Sequence, residues 1–187
     1  METSFLKNSI VLFEFYKTLG EKTVKQIDPG QLFWQANADS NSIAMIIQHL
    51  HGNMLSRWTD FLTTDGEKDW RKRDEEFEQL NRDPETVIQA WNEGWKVLLD
   101  TLATLEEADL GKTVYIRNQA HSVMEAIQRQ IAHYSYHVGQ IVFLGKMLSK
   151  EWESLSIPRN KSKDFNTHYS QEKNQGDNFT SYLRKKD

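Results

Sequence analysis

Four stretches of this chain repeat apolar residues at three- and four-residue steps, the period of helices that each bury one face. Only three prolines occur in 187 residues, and none falls inside those stretches. Phe5, Ile10, Phe13, Tyr16, Leu19 and Val24 predict a first helix. Asp28-Pro29-Gly30 ends it, because the residue before a proline is pushed out of the helical region. A second helix is expected from a cap at Asp39 or Ser40, through Ile43, Ile46, Ile47, Leu50, Met54, Trp58 and Phe61, to a stop around Thr63-Thr64-Asp65-Gly66. The third opens at Asp83-Pro84, where a proline's missing N–H costs nothing. Val87, Ile88, Trp91, Trp95, Leu98, Leu102 and Leu105 supply its buried face. The fourth starts on a capping box, Ser122-Val123-Met124-Glu125, and runs to about Leu148. Four long helices without a strand-rich region specify an all-α four-helix bundle.

The connections carry their own signals. Residues 65 to 82 are highly charged and predict an ordered surface loop, with KDWRKRDEE as a solvated face. Thr113-Val114-Tyr115-Ile116-Arg117 is β-branched and alternating, so a short extended segment precedes the last bundle helix. Residues 1–153 form the bundle on this reading, and residues 154–187 a polar C-terminal extension. That extension is expected to be ordered from Ser154 to about Phe165 and tail-like beyond. Trp34, Trp58, Trp91 and Trp95 are assigned to packing, Tyr134 to the interior and Tyr136 to the surface.

Composition narrows the chemistry. With no cysteine, disulfides and thiolate metal sites are excluded, so any metal is held by imidazole, carboxylate or water. A net charge of -4 with mixed acids and bases lacks the basic stripe that nucleic acid requires, so no nucleic-acid partner is expected. The N-terminus has no basic start or cleavage site, and no apolar run reaches the ~18 residues of a membrane span. A cytoplasmic protein without a membrane partner is therefore the expectation.

In IAHYSYHVGQI, His133 and His137 lie four residues apart on the fourth helix. They differ by only ~40° around its axis, so both imidazoles can reach one metal. They flank the buried stripe through Tyr134, Val138 and Ile141, and such a pair is equally compatible with hydrogen-bonded boundary histidines. On the second helix His49, Asn53, Arg57 and Asp60 form a polar strip in an otherwise apolar element. Buried polar groups need partners, at a cost of roughly 1–3 kcal/mol each when they lack one. Three histidines from two helices would leave a coordination position open, as catalytic metal sites do. Gln140, three residues beyond His137, is a candidate hydrogen-bond partner for a ligating imidazole or a polar boundary residue. Asn53, Arg57 and Arg159 are candidates for an anionic group of a substrate. For Arg57 a surface ion pair with Asp60 or Glu67 is the simpler expectation. His51 is expected at the surface, His121 at the fourth helix's cap and His168 in the solvated tail.

The segment RQIAHYSYHVGQIVFLGKM resembles the matching segment of the DinB/YfiT-like superfamily of bacterial metal-binding four-helix bundles. The blocks QHLHGNMLSRWTDFLTTDGEK and SLSIPRNKSKDFN resemble an uncharacterised subgroup of that superfamily. The resemblance implies a divalent metal, zinc or nickel, on one histidine of the second helix and two of the last. Here those are His49, His133 and His137, and the assignment of His49 rests mainly on this likeness. It also implies a homodimer and chemistry linked to a low-molecular-weight thiol, an S-transfer above all. Metal-dependent hydrolysis and a non-catalytic, metal-stabilised dimeric bundle are the alternatives.

Overall fold

The computed structural model describes residues 4–78 and 83–170, the last three for their backbone only. The tail-like character expected beyond residue 170 and the side chain of His168 lie outside the described residues. The chain forms an all-α bundle of four long helices: α1 (Phe5–Val24), α2 (Ile43–Trp58), α3 (Pro84–Ala103) and α4 (Val123–Leu148). A two-stranded hairpin, β1 (Thr113–Ile116) with β2 (Gln119–Ser122), precedes α4, and a short helix α5 (Ser162–Ser170) follows it. None of these helices is long and apolar enough to cross a membrane.

Side-chain contacts fix the directions of the helices. The C-terminal turns of α1 and α4 meet where Thr23 packs on Gly145, and their N-terminal ends both lie by the 106–110 turn. These two helices therefore run parallel. Thr101 Oγ1 donates to the Trp58 carbonyl at 3.0 Å, joining the C-terminal ends of α2 and α3, so this pair is parallel as well. The pairs oppose each other. Parallel neighbours cannot be joined by a tight turn, so the chain leaving α2 must travel back along the bundle before α3 begins. Residues 59–78 are the described part of that crossover, and their course puts charged side chains beside the middle of α2.

The centre holds one aromatic ring from each helix. Phe13 lies 6.3 Å from Trp58, 6.4 Å from Trp95 and 5.9 Å from Tyr134, and Trp95 and Tyr134 are 5.9 Å apart, mostly at steep angles. All four rings are almost wholly buried. Edge-on pairs of this kind add about 0.5–1.5 kcal/mol beyond the area they bury.

Several expectations change. α2 is capped not by Asp39 or Ser40 but by Ser42, whose hydroxyl accepts from the Met45 N–H at 3.2 Å. Asn37 draws Asp39 and Ser40 into a turn through bonds of 3.0 and 2.8 Å to its Oδ1. The helix also ends earlier than its apolar pattern, at Trp58, because Asp60 adopts a left-handed φ of 50° and the chain turns there. Leu105 likewise lies beyond the end of α3. Trp34 is 38% exposed: the 3-10 turn Pro29–Phe33 directs Leu32 inward in its place. Ile88 lies on an open apolar groove beside Val24 and Ile27, outside the core. Among the described residues of the extension only Leu155 is buried, and α5 continues to Ser170, beyond Phe165. The capping box at Ser122 and the extended segment at Thr113–Ile116 form as the sequence indicates.

Candidate metal centre

α2 and α4 run antiparallel, and at mid-height each turns polar side chains toward the other. His49, His133 and His137 meet there, with one ligand atom of each within 4.8 Å of the others. His49 and His137 are buried and His133 half-buried. The Nε2 atoms of His49 and His133 stand 3.3 Å apart. Two nitrogens bound tetrahedrally at 2.0–2.1 Å from one zinc would be about 3.3 Å apart.

Hydrogen bonds settle which nitrogens carry protons. Glu76 Oε2 accepts from His49 Nδ1 at 2.8 Å, and Gln140 Oε1 accepts from His137 Nδ1 at 2.8 Å. A carboxylate and an amide carbonyl only accept, so both Nδ1 atoms carry protons, which in a neutral imidazole leaves the Nε2 lone pair free for a metal. Burial, reinforced by His137, His49 and the nearby arginines, pushes His133 down to about 3. Burial also lowers His137, against the opposing effect of Gln140. Three imidazoles whose ring nitrogens converge, two of them pushed by burial toward the neutral form, are a donor set suited to a divalent metal.

The crossover completes the surroundings. Arg71 grips Glu76 with two bonds, Nε to Oε1 at 2.7 Å and Nη2 to Oε2 at 2.9 Å, while Phe77 stacks on the His49 ring at 4.8 Å. Desolvation pushes the Glu76 carboxyl upward, but the bonds from His49 and Arg71 prevail and hold it below the usual range. The expectation of a fully solvated charged face fails at these two residues, whose side chains are 2% and 8% exposed. One signal in the sequence points to them. Gly52 sits in mid-helix, an unfavourable place for glycine, and a Cβ there would lie 2.2 Å from Glu76 Oε1. The missing side chain admits the carboxylate.

Beside the histidines opens a cleft of about 290 Å³, lined by five arginines: Arg57, Arg71, Arg73, Arg117 and Arg129. Arg57 is buried rather than at the surface. Its Nη1 donates to the Gly66 carbonyl at 2.6 Å, and Glu67, not Asp60, is its ion-pair partner at 3.7 Å. Asp60 has left the polar strip because the helix ends before it. Arg117 occupies the two-residue turn of the hairpin with Asn118, both at positive φ. Asp65 holds that turn by accepting their backbone N–H groups at 2.8 and 2.7 Å. Gln130, seven residues before His137 and so on nearly the same face, lines the cleft from α4. Arg117, Arg129 and Gln130 were not among the sequence candidates.

The remaining candidates divide between the cleft and the rest of the surface. Asn53 lines the cleft, but its Oδ1 accepts from the Tyr134 hydroxyl at 2.9 Å, which in turn accepts from Trp58 Nε1 at 3.0 Å. Arg159 is exposed in the extension and does not line the cleft. His51 pairs with Glu93 at 3.1 Å. His121 lies on β2, against the Gln119 carbonyl and Arg129, and not at the α4 cap.

One family model matches residues 1–161, nearly the whole of the described bundle. The chain belongs to the DUF1572 family. That family is described as proteins of unknown function, so membership in DUF1572 assigns no reaction. Neither curated proteins nor solved structures give a significant match to this DUF1572 chain.

Proposed function

We propose that this protein is a divalent-metal enzyme of the DinB/YfiT-like kind. His49, His133 and His137 hold zinc or nickel with a position open to the cleft, and the site serves a thiol-dependent S-transfer. The observation that carries the metal is the convergence of three imidazoles from two helices, one ring nitrogen of each within 4.8 Å of the others. A bound divalent ion would supply Lewis acidity, turning a coordinated thiol into the nucleophilic thiolate near neutral pH. The residues of the chain do the rest: Glu76 and Gln140 fix the two imidazoles, Phe77 shields one side, and the cleft admits a small molecule from the other. Since the chain has no cysteine, the sulfur nucleophile enters with that molecule.

Elemental analysis of the purified protein is expected to give one equivalent of metal, absent from His49→Ala and from His133→Ala. A metal-free wild type that also fails to take up zinc or nickel would refute the site. With metal bound, the protein is expected to join a small thiol to monochlorobimane, the new S–C bond replacing C–Cl with release of chloride and a proton. His133→Ala is expected to abolish this. Turnover of ester, amide or phosphoester substrates without thiol would replace S-transfer by hydrolysis.

The working unit in this proposal is a homodimer. Tyr136, Phe143 and Met147 on α4 are 63, 65 and 57% exposed and follow each other at helical spacing. Gly139 lies between them with open space before it. Such a stripe can meet its own copy across a two-fold axis. Light scattering is expected to show a dimer for the wild type and a monomer for Phe143→Glu; a monomeric wild type would refute the dimer.

A further inference from the structure

The arginine cleft is more than a neutralised surface network. Three carboxylates are ion-paired with four of its five guanidinium groups: Glu67 with Arg57, Arg71 and Arg117, Glu76 with Arg71, and Asp74 with Arg73. Among the described residues no carboxylate lines the cleft itself. Positive charge is thus concentrated on the cavity wall in a chain whose net charge is -4.

Two of the guanidiniums also hold donors in reserve. Arg57 Nε and Arg71 Nη1 are buried without a hydrogen-bond partner, in side chains only 5% and 2% exposed. Both side chains line the cleft. A buried cationic donor left unmatched is costly, and the ligand that satisfies it at least cost is an oxyanion, whose oxygens fit the guanidinium fork. Across the cleft, the Oε1 of buried Gln130 is an acceptor that also lacks a partner. Arg129, on the next residue of α4, contacts only His121 among the hydrogen bonds of the described residues. The wall therefore presents donors to an anion on one side and an acceptor to a hydroxyl or amide on the other.

From this we infer that the cleft is a built subsite for a small-molecule oxyanion, a carboxylate or a phosphate, carried by the substrate beside the three histidines. A cavity of about 290 Å³ suits a small ligand better than a polymer. Arg57 and Arg71 form the floor of the subsite, while Arg117 and Arg129 stand at its rim. The inference deepens the proposed function by naming a substrate class, but it does not depend on the metal.

The test uses the full-length protein stripped of metal, so that failure of the metal centre and failure of the subsite are read separately. Calorimetric titration with malonate, inorganic phosphate and neutral malonamide is expected to show salt-sensitive binding of one or both anions and none of malonamide. The anion bound more tightly identifies the source of the charge. Arg129→Gln and Arg117→Gln replace exposed side chains and are expected to keep the wild-type circular dichroism. Each is expected to weaken anion binding about tenfold, the scale of one charge-assisted hydrogen bond. Absence of binding at millimolar anion, or wild-type affinity in both variants, would overturn the inference.

Discussion

Glu76 is the residue on which the site turns. It orients His49, receives both arms of Arg71 and occupies the space above Gly52. Substituting Glu76→Gln keeps the shape but removes the charge that fixes the imidazole, and loss of such a partner typically costs 10–100-fold in metal affinity. A competition titration against a chromogenic chelator is expected to show a loss in that range, with the fold intact. Tyr134 has the opposite character, a structural residue inside the site. Tyr134→Phe leaves both Trp58 Nε1 and Asn53 Oδ1 unmatched in the interior and is expected to cost about 1–3 kcal/mol. Urea unfolding measures this directly. Burial pushes the Tyr134 hydroxyl far above its ordinary range, so it stays protonated throughout and acts there only as a hydrogen-bond link.

At the scale of elements, the crossover decides how the site is finished. Gly52→Ala sets two effects against each other. Alanine favours the helix by about 1 kcal/mol, but its Cβ would collide with a carboxylate held by two partners. The expected outcome is a helix content unchanged by circular dichroism together with a metal affinity reduced at least as far as in Glu76→Gln. This element also marks where sequence reading stops. His133 and His137 were legible because spacing on one helix fixes their geometry, and Gln140 for the same reason. Three of the four bundle helices were legible at both ends to within a few residues because caps and prolines act locally. Arg71 and Glu76 were not, since a charged run in a loop looks solvated until the parallel arrangement of α2 and α3 lays it against α2. Asp60 failed for a related reason: the apolar pattern carries on to Phe61, while the backbone has already left the helix at Thr59 and turns at Asp60.

For the whole molecule, the buried imidazoles set the response to acid. His133 titrates near 3 in the folded chain, and His137 is also lowered, against 6.5 for an ordinary histidine. Below about pH 6.5 the unfolded chain therefore binds protons that the folded chain refuses, so stability falls with pH and levels off above that value. Glu76 adds to this at lower pH, its stabilisation being lost as pH falls through its depressed folded value. The urea midpoint of metal-free protein is expected to drop between about pH 7.5 and about pH 5, and His133→Phe to flatten the drop. The division of labour between core and connections has a further consequence. The three histidines stand on α2 and α4, whose spacing is set by the aromatic centre, whereas Arg71, Arg73 and Arg117 arrive on the crossover and the hairpin tip. Loops accept insertions and substitutions that a packed core does not. Natural variation can therefore retune what the cleft selects by redrawing two connections, while the three histidines stay where they are.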